Sequence, residues 1–210
     1  MRVAVISDVH ADLPALKRVL SAIGEAGPDE VWCLGDVVGL GGRHPAAPVA
    51  EVRGRCALAL GGNHDAWVAG KLALDLLPLP RQRRELEWQR AELSADQLEW
   101  LAARPSYSER AGVEAWHGSA SDPLTEGIDG LPAAADHFSR QQAAIGLAGH
   151  THRAMAASLG GGEVEWLEPP PASLDLAAAP RWLLNPGAVL GRASWLDLDL
   201  GAGVACWRSA

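Results

Sequence analysis

The chain opens on short, nearly continuous apolar runs. Val3–Ser7, Val31–Leu34 and Cys56–Leu60, and later Val113–Trp116 and Ala143–Leu147, read as buried strands bounded by polar or glycine residues. After the first of them, Leu13, Leu16, Val19, Leu20 and Ile23 recur at helical spacing behind Asp12, which reads as an N-cap. Gly39–Pro48 reads as a loop, and residues 66–104 as helical, with Ser94 and Gln97 forming a capping box for a helix through Leu101. The last third switches to strand patterns at Met155–Leu159, Val164–Leu167, Trp182–Leu184, Ser194–Leu200 and Val204–Trp207, with Pro169 through Pro180 a surface loop. Strands that alternate with helices early and dominate late predict an α/β layered sandwich, one domain over residues 1–210.

Composition narrows the class. A hydrophobic fraction of 48% with 21% charged residues supports a sizeable core and argues against disorder. A net charge of −8 argues against a stable nucleic-acid partner and against an anionic membrane surface. No apolar run approaches the roughly 18 residues that span a bilayer, and Asp8 interrupts the N-terminus before a signal-peptide core forms. A cytoplasmic protein is expected, with Cys33, Cys56 and Cys206 as reduced core thiols. The nine tryptophans read mainly as core packing. Trp67 is the exception as a candidate pocket wall, and Trp88 and Trp100 lie in a helical stretch that would make a partial lid.

The chemistry lies just after the strands. The first run leads to Asp8 and His10, the second to Asp36, the third to Asn63, His64 and Asp65, and the later two to His117 and to His150 and His152. Ligands of open α/β sheets bind beyond the carboxyl ends of strands, so these tips can converge. Imidazoles mixed with carboxylate and amide oxygens, without cysteine, suit Mn, Fe, Co or Zn in a reactive site better than a closed structural zinc. The seven candidate ligands Asp8, His10, Asp36, Asn63, His117, His150 and His152 are too many for one tetrahedral ion and suit two, with the Asp36 carboxylate as the bridge. Asp12 reads as a helix cap, Arg43 and His44 as part of a solvated loop, Arg81 to Arg84 as an exposed helix start, His137 as helix surface or core edge, and Ser119 and Ser121 as loop.

Asp8-x-His10, Gly35-Asp36-x-x-Gly39, Gly62-Asn63-His64-Asp65, His117-Gly118 and Gly149-His150-Thr151-His152, in this order, resemble the calcineurin-like metallophosphoesterases. Asn185-Pro186-Gly187 is similar to a stretch near the end of small bacterial members. The resemblance implies a four-layer α/β/β/α fold. It implies two divalent transition-metal ions, Mn first and Fe, Co, Ni or Zn as alternatives. Asp8, His10, Asp36 and His152 would hold one ion, and Asp36, Asn63, His117 and His150 the other. His64 would stabilise the transition state or act as general acid, with Asp65 orienting its imidazole. The implied activity is phosphodiester hydrolysis of a small phosphate-ester substrate by a hydroxide shared between the ions. Two such cations would outweigh the charges of Asp8 and Asp36, so an acidic protein would present a positive pocket. The alternatives are a phosphomonoesterase, a phosphoprotein or dinucleoside polyphosphate hydrolase, and a non-enzymatic scaffold of the same fold. The family commonly has Gly-Asn where this chain has Ala11-Asp12, a difference that bears on substrate class.

Overall fold

The computed structural model describes residues 1–41, 44–77 and 79–210, with Leu76 described by its backbone alone. Arg43 therefore lies outside the described residues. Among the described residues, twelve strands form two six-stranded sheets. The first has the order β3 (Leu58–Ala59), β2 (Glu30–Cys33), β1 (Arg2–Ile6), β11 (Ser194–Asp199), β12 (Val204–Ser209) and β9 (Ser173–Asp175). The second runs β4 (Tyr107–Arg110), β5 (Val113–Trp116), β6 (Ile145–Leu147), β10 (Arg181–Pro186), β7 (Ala154–Gly160) and β8 (Glu163–Leu167).

Alternation along β1 shows how the layers stack, because successive side chains of a strand point to opposite faces. Val3 and Val5 join Trp32, Leu34, Leu147, Trp182 and Leu184 in a cluster between the sheets. Ala4 and Ile6 face the other way, against Leu16, Val19 and Ile23 of α1 (Leu13–Ala26) and Val49 and Val52 of α2 (Ala46–Arg55). The same outer layer holds Val68 of α3 (Asn63–Ala69), Leu86 of α4 (Pro80–Glu92) and Leu101 of α5 (Ala95–Ala102). Beyond the second sheet, Ala134 and Phe138 of α6 (Leu131–Arg140) pack on Met155, Ala157 and Leu183. The order helix, sheet, sheet, helix is the expected four-layer sandwich. Each fully buried aliphatic side chain in these layers contributes roughly 1.5–3 kcal/mol.

Several expected elements are redrawn. The loop expected over Gly39–Pro48 ends early, because α2 starts at Ala46; Pro48 falls in its first turn, where a missing N–H costs nothing. The third strand shrinks to Leu58–Ala59, since Cys56 is the C-cap of α2. The helical stretch begins at Asn63, so Asn63, His64 and Asp65 form a first helical turn, and it is divided into three helices with a 3-10 turn at Leu74–Leu76. The Pro169–Pro180 stretch contains edge strand β9, held by β12. All three cysteines are free thiols, but only Cys33 is core, while Cys56 and Cys206 are half-buried.

For function the parallel segments matter most. β1, β2 and β3 run parallel to each other, as do β5, β6 and β10. Their carboxyl ends deliver loops to one edge of the sandwich, and backbone bonds lock those loops together. Asp8 N–H donates to Gly35 C=O at 3.1 Å, Gly149 N–H to His117 C=O at 2.9 Å, and Val189 N–H to Ser7 C=O at 3.0 Å.

Candidate metal centre

Asp8 and His10 follow β1, Asp36 follows β2, Asn63, His64 and Asp65 follow β3, His117 follows β5, and His150 and His152 follow β6. The backbone there is held in unusual conformations. Asp8, His10, Asp36, His150 and His152 all have positive φ, between 49° and 66°. Non-glycine residues adopt this region rarely, at a cost of roughly 1–2 kcal/mol each. Ala11, at φ 57°, carries the same strain. Strain gathered on five side chains of ligating type marks a functional edge.

The side chains converge in two groups that meet at Asp36. In the first, His10 Nε2 lies 2.9 Å from His152 Nε2, and His152 Nε2 lies 3.4 Å from Asp8 Oδ1. In the second, Asn63 Oδ1 lies 3.1 Å from His117 Nε2 and 3.0 Å from His150 Nδ1, with the two nitrogens 3.3 Å apart. Asp36 Oδ2 stands between them, 3.7 Å from His10 Nε2 and 3.5 Å from His117 Nε2. His64 is near the junction, since its ring offers an atom within 4.8 Å of ligating atoms of His10 and Asp36.

These contacts fit a cation and are poor without one. His10 Nδ1 faces the carbonyl of Val38 at 3.2 Å, and His117 Nδ1 faces that of Leu34 at 3.0 Å. A carbonyl only accepts, so Nδ1 carries the proton in both rings and Nε2 presents a lone pair to the site. Lone pairs thus face lone pairs. Neighbouring ligands on an ion with bonds of about 2.1 Å sit roughly 3.0–3.4 Å apart, which matches the spacings here. Asp8 Oδ1 is buried without a hydrogen-bond partner, an expensive arrangement for a carboxylate unless a cation takes it.

Electrostatics agree. Burial pushes the Asp8 carboxyl up to about 7, helped by the nearby Asp36 and opposed by His117. Burial also raises Asp36 well above the ordinary carboxylate range, with Asp65 adding to it. The imidazoles move the opposite way. Burial takes His10 down to about 2 and His64 to about 3, with further lowering from neighbouring imidazoles. His150 falls to about 4 and His152 also falls, both mainly by burial. Neutral imidazoles are the ligating form.

The packing leaves no room for larger residues. A Cβ on Gly39 would collide with the His64 ring, and one on Gly62 with the Asp36 carboxylate. Gly39 also has φ 103°, which a side chain would disfavour.

A domain profile described as the calcineurin-like phosphoesterase superfamily domain matches residues 1–196. The chain belongs to this superfamily. A metallophosphoesterase from Sphaerobacter thermophilus superposes with a TM-score of 0.83 at 32% identity, over 99% of this chain and 87% of that one. A hypothetical protein from Pyrococcus horikoshii OT3 shares the fold with a TM-score of 0.78 at 16% identity, over 100% of this chain and 87% of that one. An uncharacterised protein of Methanocaldococcus jannaschii is 45% identical over 73 residues, 35% of this chain, and the match spans only 30% of that relative.

In this calcineurin-like phosphoesterase all seven expected ligands come together, but Asp65 needs correction. Its Oδ1 accepts from Val38 N–H and its Oδ2 from Gly62 N–H, both at 3.1 Å, so the carboxylate closes the first turn of α3 and does not orient the His64 imidazole. His64 Nδ1 is buried without a partner. Aromatic packing holds the ring instead: His10 stands edge-on at 4.9 Å between centroids and Trp67, one helical turn on, at 5.1 Å. Trp67 therefore backs a site residue, while Trp100 packs against Arg104. Trp88 is exposed.

Asp12 is the helix cap expected, its Oδ1 accepting from Ala15 N–H at 3.0 Å, and its Oδ2 also accepts from Gly191 N–H at 3.2 Å. His137, expected at the helix surface or core edge, is fully buried, with Nδ1 accepting from Ala120 N–H at 3.0 Å. Asn185 is a residue whose role the sequence did not disclose. At the end of β10 its Nδ2 donates to Gly149 C=O at 2.8 Å and to Thr151 Oγ1 at 3.2 Å, which pins the loop carrying His150 and His152. The Asn-Pro-Gly motif was the signal, and parallel pairing of β6 with β10 explains it.

Proposed function

We propose that this phosphoesterase hydrolyses phosphodiesters, with Asp8, His10, Asp36 and His152 holding one divalent ion and Asp36, Asn63, His117 and His150 the other. The observation that carries the reading is Asp36, whose carboxylate stands within 3.7 Å of imidazoles from both groups. Two divalent ions, Mn first, would supply an activated water and offset charge on the phosphoryl oxygens.

The chain's own residues do the rest. The Val38 and Leu34 carbonyls fix the His10 and His117 tautomers, and Asn185 fixes the loop of His150 and His152. His64, kept neutral by burial, serves as an N–H donor to a phosphoryl oxygen rather than as a source of a full proton. Asp65 holds that helical turn in place.

The resemblance of the motifs to small bacterial family members, which implies phosphodiester hydrolysis, supports the diester over the monoester. The same reading makes all 210 residues one domain acting in the cytoplasm on a small soluble ester. Three free thiols and the lack, among the described residues, of a helix long and apolar enough to cross a membrane are compatible with it.

Hydrolysis of bis-p-nitrophenyl phosphate and of p-nitrophenyl phosphate, each with and without Mn²⁺, tests the proposal. Mn²⁺-dependent turnover favouring the diester is expected. A preference for the monoester would overturn the substrate class, and turnover indifferent to metal would overturn the mechanism.

A further inference from the structure

Beside the metal centre lies a cavity of about 500 Å³, within the range of small-molecule sites. Its walls come from Ala11, Leu13 and Pro14 at the start of α1, from Leu40 and His44 of the following loop, and from Leu190. The cavity joins the metal centre along three backbone paths. Ala11 follows the ligand His10. Leu40 follows Gly39, whose backbone abuts the His64 ring. Leu190 N–H donates to the carbonyl of Asp8 at 3.0 Å.

The lining is apolar where a second charged group would need a partner. The carboxylate in the wall, Asp12, has one oxygen taken by Ala15 N–H and the other by Gly191 N–H. Among the described lining residues none is lysine or arginine, and His44 is the remaining titratable group. Three of the wall residues have left-handed backbone, Leu40 at φ 39°, Gly41 at 79° and His44 at 68°.

We infer that this cavity receives the organic group of the substrate, and that the group is an uncharged aromatic ring rather than a sugar phosphate or a second phosphoryl group. The inference rests on the phosphoesterase reading above and adds to it the side of the centre on which the ester group lies. A flat ring fits walls of Leu, Pro and Ala and lets the exposed imidazole of His44 stack at the mouth. A second phosphate would meet the like charge of the Asp12 carboxylate in the wall.

Binding of non-hydrolysable phosphonates to the Mn²⁺-loaded protein tests the pocket without requiring turnover. Phenylphosphonate is expected to bind about tenfold or more tightly than methylphosphonate in calorimetry. In Leu190→Asn and, independently, Leu40→Asn, that ratio is expected to fall to about one. Equal affinity of the two phosphonates in the unmodified protein would overturn the inference, as would a ratio that survives both substitutions. Failure of the phosphoesterase reading is distinguishable, because it appears as absent Mn²⁺-dependent hydrolysis of bis-p-nitrophenyl phosphate while the phosphonate ratio is read separately.

Discussion

Asp8, His10 and His152 come from two loops, at the ends of β1 and β6, and all three residues sit in left-handed backbone. Asn63, His117 and His150 come from three segments, Asn63 from the first turn of α3, and within that group only His150 has positive φ. The first group has a carboxylate of its own, Asp8, whereas the second offers neutral donors and depends on Asp36 for charge. Both groups draw ligands from both sheets, but every ligand of the first sits in locally distorted backbone. In the second that distortion is confined to His150, and His117 is fully buried with its tautomer set by Leu34 across the intersheet layer. Asp36 therefore does different work on its two sides. It adds a second charge to the first group and supplies the sole carboxylate of the second.

Removing what the groups share should break the comparison hardest. Asp36→Ala is expected to reduce turnover of bis-p-nitrophenyl phosphate to background, since neither group remains complete; substantial residual rate would remove Asp36 from its junction role. His64→Ala leaves both groups intact and is expected to lower the rate on the order of 10²-fold with metal content unchanged. A rate near that of the unmodified protein would take His64 out of the chemistry.

Asn185→Ala sharpens the contrast from behind, because its amide holds the one loop that serves both groups. Metal affinity should weaken about 10–100-fold, as is usual for residues that orient ligands, and a titration with Mn²⁺ reads it. The smallest effect on rate is expected at His137, whose ring packs at 4.6 Å on Trp116, the residue before His117. Burial holds its pKa down at about 4, below the ordinary value of 6.5. The unfolded chain then binds the proton more readily, so stability is full above about pH 6.5 and falls as pH drops towards about 4, by roughly 3 kcal/mol. The fall in melting temperature between pH 7 and pH 5 should be shallower in His137→Asn; an identical fall would dismiss the assignment.

The first group was the more legible in sequence. Asp8-x-His10 and His150-x-His152 keep paired ligands two residues apart, after short apolar runs that read as strands, and that local spacing carries over into the fold. The second group was legible as residue types but not as geometry, because its three ligands come from three separate segments of the chain. Asp65 misled for a related reason: an acid one residue after His64 looks like its partner, yet at the third position of a helix it turns back to the N-terminal amides. The buried stripe of α6 is Ala134, His137 and Phe138, too short a signal to stand out, and β9 is three residues in a proline-rich stretch that only pairing with β12 makes a strand. Asn185 shows the limit most clearly, since its motif was visible and its partners, about 35 residues away, were not.

Metal content per chain, measured by elemental analysis after loading with Mn²⁺ and removal of free ion, decides whether Asp36 joins two ion sites. Two ions are expected in the unmodified protein, one in Asn63→Ala, where the first group persists, and none in Asp36→Ala. A single ion in the unmodified protein, or two retained in Asp36→Ala, would contradict that role of Asp36.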